Sequence, residues 1–235
     1  MRLVLVPGFT QTASSWDPVR THLEGHELEL VALDVPSGLN FTSTAAAIGE
    51  AGGRAVYVGY SMGGRLCLRL ALDRPDLVQG LVLISASPGI ADDAERAARR
   101  EADERLAQEV ERDGVDTFLD RWLRQPLFAT LPADAAGLDA RRAANTVATL
   151  THALRALGAG TQDPLWDRLR ELEPPFLPVA GSLDVKYVDI AFEMARAVGG
   201  DVHPLLLGGA GHAAHLERPE ATASVLRRVV HDLTS

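Results

Sequence analysis

The feature that most constrains the fold of this chain is the decapeptide 56–65, Val-Tyr-Val-Gly-Tyr-Ser-Met-Gly-Gly-Arg. Residues 55–58 are β-branched, aromatic or small and read as a buried strand. Past the turn, Leu66, Leu68, Leu70 and Ala71 follow an apolar helical pattern that ends at Asp73-Arg74-Pro75. Between strand and helix lies G-x-S-x-G, from Gly59 to Gly63. A serine at such a sharp turn sits in strained backbone, and small residues two before and two after it let the turn close. Its hydroxyl then projects over the start of the helix, and the N–H of Met62 is freed to donate to a developing oxyanion. The five-residue pattern alone is common, because glycine and serine are common. The strand before it and the helix after it are what make this a nucleophile elbow.

Strand-like and helix-like segments alternate around the elbow. Strands are expected over 3–6, 28–33, 55–58 and 81–84, and helices over 15–23 (with Pro18 in the first turn), 43–51 and 62–72. Such alternation builds a mostly parallel sheet flanked by helices, the α/β class. From Ile90 to about Gly160 the strand signal disappears. A charged, alanine-rich helix is expected over 92–111, with further helix over 114–122 and 140–157 and breaks at Pro126 and Pro132. Phe118, Leu119, Trp122, Leu123, Leu127 and Phe128 are too apolar for disorder, so 90–160 reads as a helical cap inserted into a core of 1–89 and 161–235. Sheet logic resumes with strands over 176–180 and 202–207 and helices over 188–198 and 220–233.

A serine hydroxyl needs an imidazole to take its proton and an acid to orient that imidazole. Asp184 follows the strand 176–180, and His212 follows the strand 202–207 through Gly208-Gly209-Ala210-Gly211. Both therefore arrive at the carboxyl edge of the sheet, where chemistry in open α/β sheets gathers. The order Ser61, Asp184, His212 is the serine–acid–histidine order of α/β-hydrolase sheets. Asp189 and His215 are the neighbouring alternatives, less suited because Asp189 falls in a helix and His212 is the residue delivered by the small-residue loop. His22, His26, His152, His203 and His231 read as surface or core polar residues, and no pair of them has metal-ligand spacing with a third partner. Phe9, after Val6-Pro7-Gly8, lies where a second oxyanion N–H is expected beside that of Met62.

Composition narrows the partners. A formal net charge of −9 without a basic stripe argues against nucleic acid. The single cysteine, Cys67, lies in the apolar pattern after the elbow, which leaves no disulfide framework and no cysteine-rich zinc site. No stretch reaches the roughly 18 apolar residues of a membrane span, and the short apolar run 3–6 before Pro7-Gly8 does not fit a signal peptide. The expectation is a cytoplasmic enzyme, monomeric or weakly homo-oligomeric, without metal or cofactor.

Several stretches carry a more specific resemblance. Gly-Tyr-Ser-Met-Gly-Gly-Arg (59–65), the cap segments 118–130 and 154–162, the acid loop 180–187 and the histidine loop 210–219 are similar to those of the 2-succinyl-6-hydroxy-2,4-cyclohexadiene-1-carboxylate synthases, α/β-hydrolase-fold enzymes of menaquinone biosynthesis. The resemblance implies a carbon–oxygen lyase that eliminates pyruvate from an enolpyruvyl cyclohexene carboxylate, with Ser61, His212 and Asp184 abstracting a ring proton. It also implies that Arg65, Arg99 and Arg142 bind substrate carboxylates while Tyr60 and Trp122 line the pocket; arginine forks suit carboxylates. Two stretches depart from the pattern: Pro7 stands where such proteins usually have histidine, and 34–40 lacks the usual Gly-His-Gly. The alternative is a small carboxylesterase or carbon–carbon hydrolase working through an acyl-enzyme at Ser61.

Overall fold

The computed structural model describes residues 1–25 and 27–234. His26, grouped above with the ordinary polar histidines, lies outside them. Six strands, β1 (Arg2–Val6), β2 (Glu29–Ala32), β3 (Ala55–Tyr60), β4 (Val78–Ile84), β5 (Phe176–Gly181) and β6 (Leu205–Leu207), form one sheet in the order β2-β1-β3-β4-β5-β6. Every pairing is parallel. The central strands β1 and β3 are apolar on both faces, as a sheet covered on both sides requires.

Side chains alternate between two cores. Val4, Val6 and Tyr57 pack with α2 (Phe41–Gly52), α3 (Met62–Asp73) and Met194 of α7 (Val185–Val198). Leu3, Leu5, Val56 and Val58 pack on the other face with Val19 of α1 (Asp17–Thr21), Ala214 of the short α8 (Ala214–Glu217) and Leu226 of α9 (Pro219–Thr234). The expected helix over 15–23 is shorter than its pattern: a 3-10 turn at Ala13–Trp16 precedes α1. β6 starts after Pro204 rather than at 202, because proline offers no N–H to the ladder.

Between β4 and β5 run α4 (Asp93–Leu123), α5 (Leu138–Ala144) and α6 (Val147–Leu157). The two helices expected over 92–111 and 114–122 are one helical run kinked at Gly114, whose φ of 78° glycine alone adopts freely. The expected helix over 140–157 is broken at Asn145, which is extended, and α6 restarts with a capping box between Thr146 and Thr149. Ala107, Val110, Phe118, Leu119, Leu150 and Leu154 give these helices their own core. Among the described residues no helix is long and apolar enough to cross a membrane.

Candidate active site

Ser61 sits between β3 and α3 with φ 49° and ψ −109°. The turn closes only because its neighbours lack side chains. A Cβ on Gly59 would lie 2.5 Å from Gly64 Cα, and one on Gly63 would collide with the Val6 and Pro7 carbonyls. Parallel pairing puts the ends of β3, β5 and β6 at the same sheet edge, so Asp184, just past β5, and His212, in the loop after β6, converge on Ser61.

His212 Nδ1 donates to Asp184 Oδ2 at 2.7 Å. The carboxylate can only accept, which places the proton on Nδ1 and leaves Nε2 as acceptor for the Ser61 hydroxyl at 3.3 Å. Rings of Tyr187 (4.6 Å between centroids), Tyr60 (5.4 Å) and Phe128 (6.1 Å) pack around the imidazole. The two alternatives are placed elsewhere. Asp189 is exposed on α7. His215 is fully buried between Trp16 and Tyr60, at 4.7 and 4.2 Å, with neither ring nitrogen hydrogen-bonded among the described residues. Burial holds its pKa well below the ordinary histidine value, and the nearby Arg141 adds to this.

A cavity of about 110 Å³ opens over Ser61 and His212. Phe9, Tyr60, Met62, Arg65, Arg99 and Trp122 all line it. Neither the Phe9 nor the Met62 N–H donates to a backbone or side-chain acceptor among the described residues. Trp122 meets Phe9 edge-on at 5.1 Å.

The three arginines differ. Arg65 is 9% exposed and donates from Nη1 to Gln162 Oε1 at 2.8 Å and from Nη2 to the Leu157 carbonyl at 2.7 Å. Both acceptors are neutral, and no carboxylate pairs with it among the described residues. Burial lowers its pKa to about 10. Arg99 donates through Nε to Asp103 Oδ1 at 2.8 Å, and its side chain lines the cavity while staying 43% exposed. Arg142 is not brought to the cavity. It is paired with Asp120 at 2.8 Å, and Asp139 and Asp116 lie at 3.6 and 3.7 Å. On α5 it is the adjacent Arg141 that turns inward, 4% exposed, because successive helix positions face different sides. Gln162 was not singled out from the sequence, although it is 1% exposed and bridges Arg65 to the Pro88 carbonyl. Its only signal was a polar residue in the cap segment 154–162. Among the described residues no group of three or more histidine, cysteine or acidic side chains is placed to hold a metal ion.

Comparisons with known proteins agree with this architecture. The alpha/beta hydrolase family matches residues 3–225. A Bacillus subtilis protein described as a putative 2-succinyl-6-hydroxy-2,4-cyclohexadiene-1-carboxylate synthase is 33% identical over 72% of this chain and 63% of its own length. The chain thus spans just under two thirds of that relative. A Salmonella heidelberg protein named as the same synthase is 30% identical, with 97% of this chain and 93% of that protein aligned. The solved structure of MenH from S. aureus superposes with a TM-score of 0.92 at 25% identity, covering 100% of this chain and 95% of that one. The chain belongs to the alpha/beta hydrolase family, among members whose relatives carry the name 2-succinyl-6-hydroxy-2,4-cyclohexadiene-1-carboxylate synthase.

Proposed function

We propose that the chain is a carbon–oxygen lyase that releases pyruvate from an enolpyruvyl cyclohexene carboxylate, the reaction that its relatives' names and the sequence resemblance suggest. The observation that carries this reading is Arg65: a buried guanidinium in the wall of the Ser61 cavity, bonded among the described residues only to neutral acceptors. Among the described residues lining the cavity, two guanidiniums, Arg65 and Arg99, share one carboxylate, Asp103, which is bonded to Arg99. A buried cation without its own partner is costly, and an anionic substrate group supplies the second negative charge. Arg99 offers a second cation in the lining, and Tyr60 and Trp122 the aromatic walls.

In this mechanism Ser61 Oγ removes the ring proton and passes its own proton to His212 Nε2, while Asp184 stabilises the resulting imidazolium. The electron pair of the broken C–H bond forms a ring double bond. The C–O bond to the enolpyruvyl group breaks, and its electrons leave with the enolate, which is protonated to pyruvate. No water is consumed and no acyl-enzyme forms. The N–H groups of Phe9 and Met62 stabilise the negative charge that develops on oxygen. The helices of 90–160 act as the cap over this site, and the protein works as a cytoplasmic monomer or weak homo-oligomer.

The test is pyruvate release from the enolpyruvyl substrate, measured beside hydrolysis of a neutral p-nitrophenyl ester. Pyruvate release that Ser61→Ala lowers by about four orders of magnitude or more is the expected result, on the scale of losing a triad serine. Ester turnover without pyruvate release would instead make the chain a carboxylesterase or carbon–carbon hydrolase. Near-wild-type pyruvate release in Ser61→Ala would remove the serine from the mechanism altogether.

A further inference from the structure

The loop that carries the Phe9 N–H is a tight turn. The Gln11 N–H donates to the Gly8 carbonyl at 3.1 Å, and the Gln11 side-chain Oε1 accepts from the Gly8 N–H at 3.2 Å. Thr10 has φ 69°, whereas Phe9 is not among the positive-φ residues, so this is a type II turn with Thr10 in the position that favours glycine. A β-branched residue there is a genuine outlier and persists only where its surroundings over-determine it. The turn also aims the candidate oxyanion donor. In a trans peptide the N–H lies opposite the C=O. With the Gly8 carbonyl held inward on Gln11, the Phe9 N–H must point out of the turn, and Phe9 lines the Ser61 cavity.

What over-determines Thr10 comes from the cap side. Arg141 Nη1 on α5 donates to Thr10 Oγ1, and Arg141 Nε donates to the Ala136 carbonyl at 2.8 Å. Asn145, at the end of α5, donates from Nδ2 to the Thr10 carbonyl at 2.9 Å and to the Arg141 carbonyl at 2.8 Å. Both main groups of Thr10 are thus held by two residues 131 and 135 positions away in the chain. Arg141 is 4% exposed and pairs with no carboxylate among the described residues. A buried guanidinium without a counter-charge adds nothing to stability that an apolar side chain would not, so its cost is offset elsewhere.

We infer that Arg141 and Asn145 are positioning residues: a latch from the cap that holds Thr10 in its left-handed conformation and thereby keeps the Phe9 N–H aimed at the oxyanion. The latch ties formation of the oxyanion hole to docking of α5 against the core. It explains why α5 stops at Asn145, where the sequence pattern continues helical: the extended Asn145 delivers its amide to Thr10. The inference rests on the assignment of Ser61 and Phe9 in the proposed function, but not on the identity of the substrate.

The test uses a probe that needs only the nucleophile and the oxyanion hole. A p-nitrophenyl alkylphosphonate reacts when Ser61 Oγ bonds to phosphorus, the P–O(aryl) bond breaks, p-nitrophenolate leaves and His212 takes the serine proton. The bimolecular rate is read from p-nitrophenolate release, and the Ser61 adduct is confirmed by mass. Removing an oxyanion donor costs about 10²–10³-fold, so mis-aiming one through Arg141→Gln should cost roughly ten- to a hundredfold. Glycine adopts φ > 0 freely. Thr10→Gly alone should therefore stay within about threefold of the wild type, and in that background Arg141→Gln should cost no more than about threefold. Asn145→Ala, a milder change, carries the same background dependence if Arg141→Gln does not fold.

An equal loss in the threonine and glycine backgrounds would make Arg141 a packing residue and overturn the latch, as would no loss in either. A wild type that is not labelled at all overturns the assignment of Ser61 and the latch with it. A wild type that is labelled but releases no pyruvate breaks only the lyase reading.

Discussion

The buried interior around the Ser61 loops and the outer face of the cap use arginine in opposite ways. Outside, Arg155 of α6 grips Glu111 at 2.6 Å and Glu104 at 2.8 Å, and it holds the Glu104 carboxyl down to about 2. Arg142 is likewise surrounded by Asp120, Asp139 and Asp116. Inside, among the described residues, the hydrogen bonds of Arg65 and Arg141 go only to carbonyl, amide and hydroxyl oxygens. The outer pairs are solvated, and pairs of that kind contribute little. The inner guanidiniums are desolvated and, among the described residues, make no direct ion pair, an arrangement that is costly unless something else meets the charge. The difference separates arginines that decorate a surface from arginines kept for a task. Under the proposed function Arg65 receives a substrate anion, whereas the proposed latch uses Arg141 to hold a strained turn.

The sharpest way to break this comparison is Arg65→Met. A hydrogen bond to a charged group is worth roughly 1.5–3 kcal/mol, so kcat/KM for the anionic enolpyruvyl substrate should fall about ten- to 150-fold. Hydrolysis or phosphonylation by a neutral p-nitrophenyl probe should stay within about twofold. Equal losses on charged and neutral probes would mean that Arg65 supports the elbow rather than the substrate. The inner wall would then hold no cation reserved for a ligand.

Which cation faces inward was the part hardest to read from the chain. The elbow, the acid loop and the histidine loop are each local: a strand, a small-residue turn and one functional side chain, at carboxyl ends that parallel pairing must align. Ser61, Asp184 and His212 were therefore legible as three residues with one destination, and the hydrogen-bond chain joins them. Arg141 and Arg142 are adjacent on a helix of only 7 residues, too short for periodicity to fix which side is buried. Helix breaks in the cap were hidden for a similar reason. Gly114 kinks α4 without ending it, and Asn145 ends α5 through a contact with Thr10 that no local pattern encodes. Gln162 reaches Arg65 across 97 positions, a pairing visible only once the sheet and cap are assembled.

A second test of the buried interior reads protons. His215 is buried with no hydrogen-bond partner among the described residues, and its pKa lies well below the usual value, chiefly through desolvation and then through Arg141 and His212. In the unfolded chain the same imidazole has an ordinary pKa near 6.5. As pH falls below that value, the unfolded state binds a proton that the native state refuses, so stability drops as pH falls. The slope from this group approaches about 1.4 kcal/mol per pH unit. Denaturant unfolding of the wild type and of His215→Phe between pH 7 and 5 isolates it by difference, since the other groups titrate in both. The wild type should lose stability more steeply. Parallel curves would mean that His215 is protonated in the native state, and the interior is less dry than its geometry indicates.

The smallest expected effect belongs to the outer face, where it tests the comparison from the other side. Arg142→Gln removes a cation with one acid at hydrogen-bond distance and two beyond 3.5 Å. Surface pairs of this kind are screened by salt. Thermal stability should shift by only a degree or two in low salt, and the shift should shrink as salt is raised. Because Arg142 does not line the cavity, kcat/KM for the anionic substrate should stay within about twofold. A loss as large as that of Arg65→Met would require α5 to rotate toward the substrate in the working enzyme. That rotation would pull Arg141 away from Thr10, so the same variant would also slow phosphonylation of Ser61. A large loss on the substrate with no change in phosphonylation would therefore return Arg142 to substrate binding while leaving the latch in place.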